Sequence, residues 1–132
     1  MGESKLTGTE WQVDRIDKVT DGDTVRLTRS RIEHMGDHDF RITDVTSMPI
    51  RLVWVDTPEK GDHPGWERAR ADLTAWLTRY GYDDNGDPTM RVITYESAGW
   101  DRMLGDLLDA DGNSASQWLM TEGGWPPYVK GK

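Results

Sequence analysis

The sequence predicts a mainly β (α+β) domain with two helices, folded as a five-stranded Greek-key barrel of the OB type. The element order predicts this fold, because one amphipathic helix is inserted between the third and fourth of five short strands and a second helix follows the fifth. The chain has 132 residues, a length that suits a single domain. Leu, Ile, Val and Phe account for only 23 residues, so we expect the seven Trp, six Met and four Tyr to supply much of the core.

The first two strands are expected to form a hairpin behind a polar lead-in, residues 1–9. Strand-forming residues mixed with charges run over residues 10–19, and the alternation resumes after the turn Asp21-Gly22-Asp23-Thr24. Two alternating segments joined through Asp-Gly are typical of a β-hairpin. Residues 30–49 are irregular and charge-rich, and we interpret them as a hairpin insertion with its tip near Met35-Gly36-Asp37.

The third strand and the first helix have the clearest patterns. The most continuous apolar run, residues 50–55, predicts a buried strand that ends at Asp56-Thr57-Pro58, because proline cannot donate to a strand ladder. Residues 66–80 carry apolar side chains at steps of three and four, which predicts an amphipathic helix. Pro64 suits the start of this helix and Gly81 suits its end.

The last elements complete one domain. Residues 90–97 and 103–108 alternate as the fourth and fifth strands, and a capping-box signal at Ser114 predicts a second, short helix. We therefore place one domain over residues 10–124 and a short C-terminal tail over residues 125–132.

The composition excludes several classes of protein. Lys and Arg number 16 against 24 Asp and Glu, so the net charge of -8 excludes a general basic clamp for nucleic acid or an anionic membrane. The chain has no run of 18 apolar residues and no signal peptide at its polar start. Without cysteine there is no disulfide framework. We expect a cytoplasmic protein, with a trimmed secreted form as the alternative, and no membrane partner.

Two segments carry carboxylates where a hard divalent cation could use them. Asp21 and Asp23 are two residues apart at a turn, so both can point to one side. Asp56 and Glu59 flank a second turn whose backbone carbonyls are further oxygen ligands. Each segment alone also has a simpler interpretation, turn chemistry for the first and a strand exit leading to a helix cap for the second.

Two arginines are candidates for binding an anion. Arg51 lies within an apolar strand, where a guanidinium is costly unless it is paired, so it forms a structural ion pair or an anion site. Arg102 stands close to Trp100 at the start of a strand, and taken alone it is an ordinary surface arginine.

Together these segments resemble the staphylococcal-nuclease (thermonuclease) family. The resemblance runs in order through the hairpin at residues 21–27, the Arg-Leu-x-x-Val-Asp-Thr-Pro-Glu block at residues 51–59, the aromatic-x-Arg-x-Leu segment at residues 100–104, and Asp111-Gly112. It covers residues 10–124 with different loop lengths. Members of this family are OB-barrel enzymes that bind Ca²⁺ and hydrolyse phosphodiester bonds of DNA and RNA. The resemblance implies the same activity for this chain.

The resemblance also implies a calcium site. Asp23 and Asp56 would be the carboxylate ligands of the ion, and Thr57 would add its backbone carbonyl. Asp21 would not touch the ion but would hold its water molecules. Carboxylate and carbonyl oxygens are the ligands that Ca²⁺ prefers in proteins, so these residue types suit the implied role.

The same resemblance assigns roles around the substrate. Glu59 would orient or deprotonate the attacking water, while Arg51 and Arg102 would grip the phosphate and its developing charge. Trp100 stands where the best-known family member has tyrosine, and would contact the substrate through an indole. Tyr128 is a candidate for stacking on a base, with simple packing of an aromatic tail as the alternative.

The predicted function is therefore a calcium-dependent nuclease, acting on accessible single strands and expected to be a monomer. One alternative is a non-catalytic OB-fold module that binds nucleic acid or a protein. Another is a structural part of a larger assembly with residues 30–49 as the contact.

Overall fold

The fold is a closed β-barrel in a computed structural model that describes residues 8–58, 61, 64–95 and 103–128. In chain order the described elements are β1 (Gly8–Asp21), β2 (Thr24–His34), β3 (Phe40–Leu52), α1 (Trp66–Tyr80), β4 (Arg91–Tyr95), β5 (Met103–Leu108) and α2 (Ala115–Thr121). The barrel order is β1-β2-β3-β5-β4, and β4 pairs back to β1. Strands β3 and β5 are parallel and the other pairs are antiparallel. The predicted fold class, a mainly β protein with a five-stranded barrel of the OB type, is confirmed.

The interior of the barrel is mostly aliphatic. Alternate residues of the strands fill it, and the fully buried ones include Val25, Leu27, Ile50, Leu52, Val92 and Leu107. Helix α1 adds Leu73 and Trp76 from one side. Among the described residues, Trp76 is the only tryptophan in the buried core, while Trp11, Trp118 and Trp125 pack against the core from its margin. The expectation of a core rich in aromatic residues is therefore corrected.

The two helices begin and end where local sequence signals place them. The backbone N–H of Gly81 donates to the carbonyl of Leu77 at 2.9 Å, which closes α1. Ser114 caps α2 by accepting from the N–H of Gln117 at 3.1 Å, and its hydroxyl also donates to the buried Asp106. Burial raises the pKa of Asp106, although hydrogen bonds from the α2 start oppose the shift. No helix in the described part of the chain is long and apolar enough to cross a membrane.

The segment at residues 30–49 is a regular two-stranded ribbon with its tip at residues 35–39, so the predicted hairpin is confirmed although its sequence pattern is irregular. β2 and β3 pair continuously from Thr24 opposite Arg51 to His34 opposite Phe40, with one register shift between Arg29 and Arg31. Beyond the barrel this ribbon has no buried face, so the alternation of apolar and polar side chains that normally marks a strand is absent from its sequence.

The third strand begins and ends earlier than the predicted strand at residues 50–55. β3 ends at Leu52, and the chain then turns so that Val53 and Val55 are both buried while Trp54 between them is exposed. Trp54 has a φ of 70°, a left-handed conformation that costs a non-glycine residue about 1–2 kcal/mol. The apolar run therefore combines a strand end and a buried loop, two states that a run of hydrophobic residues does not distinguish.

The end of the chain pairs with this loop. Val55 and Pro127 form an antiparallel bridge. The N–H of Asp56 donates to the carbonyl of Pro126 at 2.8 Å, and the N–H of Tyr128 donates to that of Trp54 at 2.9 Å. Residues 126–128 are thus held against the loop that leads from β3 to the candidate site.

Candidate functional site

The turn between β1 and β2 lies in the interior rather than at the surface. Asp21 is 3% exposed and Asp23 is 1% exposed, which is rare for carboxylates. Helix α1 covers this turn, and Arg70 on the helix donates from Nε to the carbonyl of Val19 at 2.9 Å. The turn is therefore fixed between the barrel and a helix, which positions its carboxylates.

Gly22 is required because the helix approaches this turn closely. A Cβ atom at this position would lie 2.4 Å from the Cβ of Ala69 and 2.8 Å from Oγ1 of Thr57. From the sequence, Asp-Gly is explained as turn chemistry alone. The contact with Ala69 comes from a helix more than 40 residues later, so no local signal in the sequence could have revealed it.

Replacing Gly22 by alanine is expected to destabilise the protein by about 1–3 kcal/mol, because the turn and α1 must separate to make room. Urea unfolding measures the change. Gly36→Ala is the matched control, since a Cβ at Gly36 meets nothing within 4 Å. Equal stabilities of the two variants would contradict the close approach.

Asp23 connects three segments of the chain. Its Oδ2 accepts from the backbone N–H of Thr57 at 3.2 Å and lies 3.4 Å from Nη2 of Arg51. Its Oδ1 accepts from the hydroxyl of Thr24 at 3.2 Å, and its backbone carbonyl accepts from the N–H of Leu52 at 2.7 Å. The predicted ligand residues Asp23 and Thr57 are therefore in direct contact.

Negative charge in this cluster is incompletely compensated. Burial, reinforced by the neighbouring carboxyl of Asp21, raises the pKa of Asp23 to about 7 against the attraction of Arg51. The N–H of Thr57 lowers the pKa but does not offset the burial. A group with this pKa is held in the fold at an electrostatic cost, which an added cation would reduce.

Arg51 lies between the buried carboxylate and the surface. Its side chain is 14% exposed, and its Nη2 is 3.4 Å from Asp23 and 4.0 Å from Asp56. Its Nη1 donates to the carbonyls of Leu52 and Val55. The sequence left a structural ion pair or an anion site as the roles of Arg51, and the ion pair is present in this structure. The Asp56 side chain is 51% exposed, so the cluster is open to solvent.

The oxygen atoms of the cluster suit a hard cation as ligands, both in atom type and in charge. Asp23 and Asp56 approach the same guanidinium nitrogen, and the buried Oγ1 of Thr57 has no hydrogen-bond partner among the described residues. No three Asp, Glu, His or Cys side chains within the described ranges converge as a preformed metal site. The cluster thus offers two carboxylates and neighbouring backbone oxygens, a set that Ca²⁺ accepts when water completes the shell.

Three residues predicted for the site lie outside the described residues: Glu59, Trp100 and Arg102. The nearest described neighbour of the last two is the start of β5, where Met103 pairs with Ile50 and Leu104 pairs with Arg51. Their roles stay predictions.

Two half-exposed aromatic residues, Trp54 and Tyr128, lie on the loop after β3 and on the segment that pairs with it. The ring of Tyr128 is centred 5.4 Å from Cζ of Arg51, which places this predicted residue next to the site. Trp54 was predicted to be buried in the third strand, yet it is 48% exposed, as is Tyr128. The exposed indole has no sequence signal, because its apolar neighbours are typical of a strand interior.

Comparison with models of known protein families gives no match to this chain, and no curated protein matches it significantly. A functional interpretation therefore depends on the residues and the geometry described above.

Proposed function

We propose that this chain is a calcium-dependent nuclease that hydrolyses phosphodiester bonds of DNA and RNA. The observation that carries the proposal is the contact of one guanidinium, Arg51, with a buried carboxylate, Asp23, and a solvent-exposed one, Asp56. Such a cluster can hold a cation through its acids and a phosphate through its arginine at the same surface opening.

The acids provide the cation site in this proposal. Asp23, Asp56 and the backbone carbonyl of Thr57 would hold Ca²⁺, and Asp21 would hold its water molecules. When bound, the ion supplies a Lewis acid for a non-bridging phosphate oxygen. The position of Asp23 is fixed by Thr24 and Thr57, so its carboxylate is oriented in advance.

Arg51 binds the phosphate in this proposal. Its planar guanidinium offers two parallel N–H donors, and these interactions strengthen as charge develops on the phosphate oxygens. Hydrogen bonds to the Val55 and Leu52 carbonyls fix one edge of the group, so little ordering remains to be done when the substrate binds.

Glu59 and Arg102 complete the proposed mechanism. Glu59 follows Asp56 by three residues and would orient or deprotonate the attacking water. Arg102 immediately precedes Met103, which pairs with the strand that carries Arg51, and it would add a second guanidinium. These two roles rest on the resemblance of the motifs.

The charge balance of the proposed site couples metal and substrate. With all four acids ionised, the acids and two arginines leave the site with two negative charges, and a bound divalent ion makes it neutral. A phosphate is thus repelled from the empty site and accepted by the filled one, so each ligand should increase the affinity for the other. This coupling reconciles a net charge of -8 with a nucleic-acid substrate.

The experiment that tests the proposal is digestion of single-stranded DNA and RNA by the purified chain with millimolar Ca²⁺ and with a chelator. We expect cleavage that requires the ion, because the acids alone repel the substrate. Failure of the folded protein to cleave either substrate in Ca²⁺ would overturn the proposal.

The second candidate is a non-catalytic module that binds nucleic acid or a protein. The observation that favours it is a group of exposed large apolar side chains on the β2–β3 ribbon: Ile32, Met35, Phe40, Ile42 and Val45. A folded protein that binds a non-hydrolysable strand equally well with and without Ca²⁺, and cleaves none, would favour this candidate.

A further inference from the structure

We propose that the exposed indole of Trp54 is a stacking platform for a nucleobase of a single-stranded substrate, an inference that rests on the proposed nuclease function. The platform would position the strand relative to the phosphate held by Arg51. Trp54 would therefore act in substrate positioning and not in the chemistry of bond cleavage.

The first argument is that packing accounts for only part of this indole, which meets Tyr95 edge-on but leaves about half of the residue exposed. The loop buries Val53 and Val55 on either side, and Trp54 between them has a left-handed backbone with a φ of 70°. Asparagine or glycine adopts that conformation at a lower cost than tryptophan. The fold instead places a large apolar ring there and leaves 48% of the residue exposed. Both the strain and the exposure oppose folding, so the ring calls for a reason other than stability.

The second argument is location. Arg51 pairs with Leu104 of β5, and Leu104 pairs with Tyr95 of β4, so these three residues lie side by side across the sheet. Ile50 and Leu52 point into the core, so this row is on the outer face of the barrel. The Trp54 ring packs edge-on against Tyr95, with centroids 6.0 Å apart. The indole is therefore two strands away from Arg51 on the same face.

The third argument is that the loop joins the indole rigidly to the phosphate-binding group. The carbonyl of Trp54 accepts from the N–H of Tyr128, and the next carbonyl, of Val55, accepts from Nη1 of Arg51 at 3.2 Å. Tyr128 contributes a second half-exposed ring, which lies against the guanidinium of Arg51. A guanidinium with one aromatic ring against it and a second ring on the same loop matches a polymer in which phosphates and flat bases alternate.

The ligand class follows from this geometry. A base in a duplex is already stacked on both faces and paired, while a base in a single strand can place one face on an indole. Stacking tolerates every base, so the platform would give a preference for single strands without a sequence preference.

The experiment compares KM and kcat of the wild-type chain, Trp54→Leu and Trp54→Phe in Ca²⁺ on two substrates. One is a single-stranded DNA oligonucleotide, and the other has the same phosphates with abasic sites beside the cleaved bond. Trp54→Leu should raise KM for the first substrate about tenfold and leave kcat nearly unchanged, whereas its KM for the abasic substrate should not change. Trp54→Phe should restore most of the affinity, since a phenyl ring also stacks.

Tyr82→Leu is the matched control, because it removes an exposed aromatic ring from the turn that precedes β4, where Tyr82 bridges to Pro88 away from the site. It should leave both constants unchanged. A wild-type chain that cleaves, together with a Trp54→Leu variant of unchanged KM on both substrates, would overturn the inference and leave the nuclease proposal intact.

A second readout keeps the two proposals separate. Binding of a phosphorothioate-protected single strand, which keeps the negative charge of each linkage, is measured by fluorescence anisotropy in Ca²⁺, where no cleavage is needed. If the wild type does not cleave, the nuclease proposal fails. The stacking platform is still supported if the wild type binds this strand several-fold more tightly than Trp54→Leu, and it is overturned by equal binding or by none.

Discussion

Replacing Arg51 by lysine is expected to lower calcium-dependent cleavage at least about 100-fold while the protein stays folded. Lysine keeps one positive charge near Asp23 and Asp56, so the buried carboxylate retains a counter-ion. It cannot offer the paired N–H donors of a guanidinium to a phosphate. It also cannot keep the contacts of Nη1 with the two carbonyls while reaching both acids.

The measurement is kcat/KM on single-stranded DNA, together with thermal unfolding of each variant. Arg91→Lys is the matched control, since Arg91 forms an exposed pair with Glu10 at 2.9 Å on another part of the barrel. That control should retain wild-type activity, because exposed pairs contribute little. Equal activity of Arg51→Lys and the wild type would show that the guanidinium is not used on the phosphate.

Arg51→Ala separates structure from chemistry at the same position. Without the guanidinium, Asp23 stays buried beside Asp21 with no cation, which should cost about 3 kcal/mol of stability at pH 8. A large loss of stability in the alanine variant with a small one in the lysine variant would identify charge as the structural contribution of Arg51. The loss of activity in both variants would then report on the geometry of its donors.

Periodicity was sufficient to predict the fold because each of its signals is local. The apolar steps over residues 66–80 match the bounds of α1, and the capping signal at Ser114 matches the start of α2. Local signals were insufficient to predict the structure where segments distant in sequence determine which residues are buried. Residues 126–128 pair with the loop after β3. The apolar run at residues 50–55 indicates neither this pairing nor the end of the strand at Leu52.

The candidate site shows the same division. The structure brings Asp21, Asp23, Arg51, Asp56 and Thr57 together, in agreement with motifs that are far apart in the sequence. Two features could not have been anticipated. The contact of Gly22 with Ala69 depends on how α1 packs, and the exposure of Trp54 depends on where β3 stops. Both depend on three-dimensional packing between elements, which residue types alone do not encode.

Asp23→Asn is expected to stabilise the metal-free protein at pH 8 by at least about 1 kcal/mol and to abolish cleavage. Burial, reinforced by Asp21, places the pKa of Asp23 at about 7, above its ordinary value of 3.8. Folding therefore takes up a proton at this carboxyl. The stability that this proton contributes is complete below about pH 4 and is lost as the pH rises through 7. Asparagine is neutral at every pH, so it avoids this loss.

Urea unfolding in chelator at pH 5 and pH 8 measures the effect. From pH 5 to pH 8 the wild type should lose more stability than Asp23→Asn, and Ca²⁺ should restore stability to the wild type alone, because it replaces the proton as the counter-charge.

Asp17→Asn is a control for which the opposite change in stability is expected. Burial of Asp17 favours a raised pKa, but hydrogen bonds from Arg15, Thr28 and Ser47 outweigh it and lower the pKa. Asp17→Asn should therefore destabilise the protein at pH 8. If Asp23→Asn also destabilised the metal-free protein there, the charge of Asp23 would be compensated within the fold, and the argument for a cation at this cluster would lose its electrostatic basis.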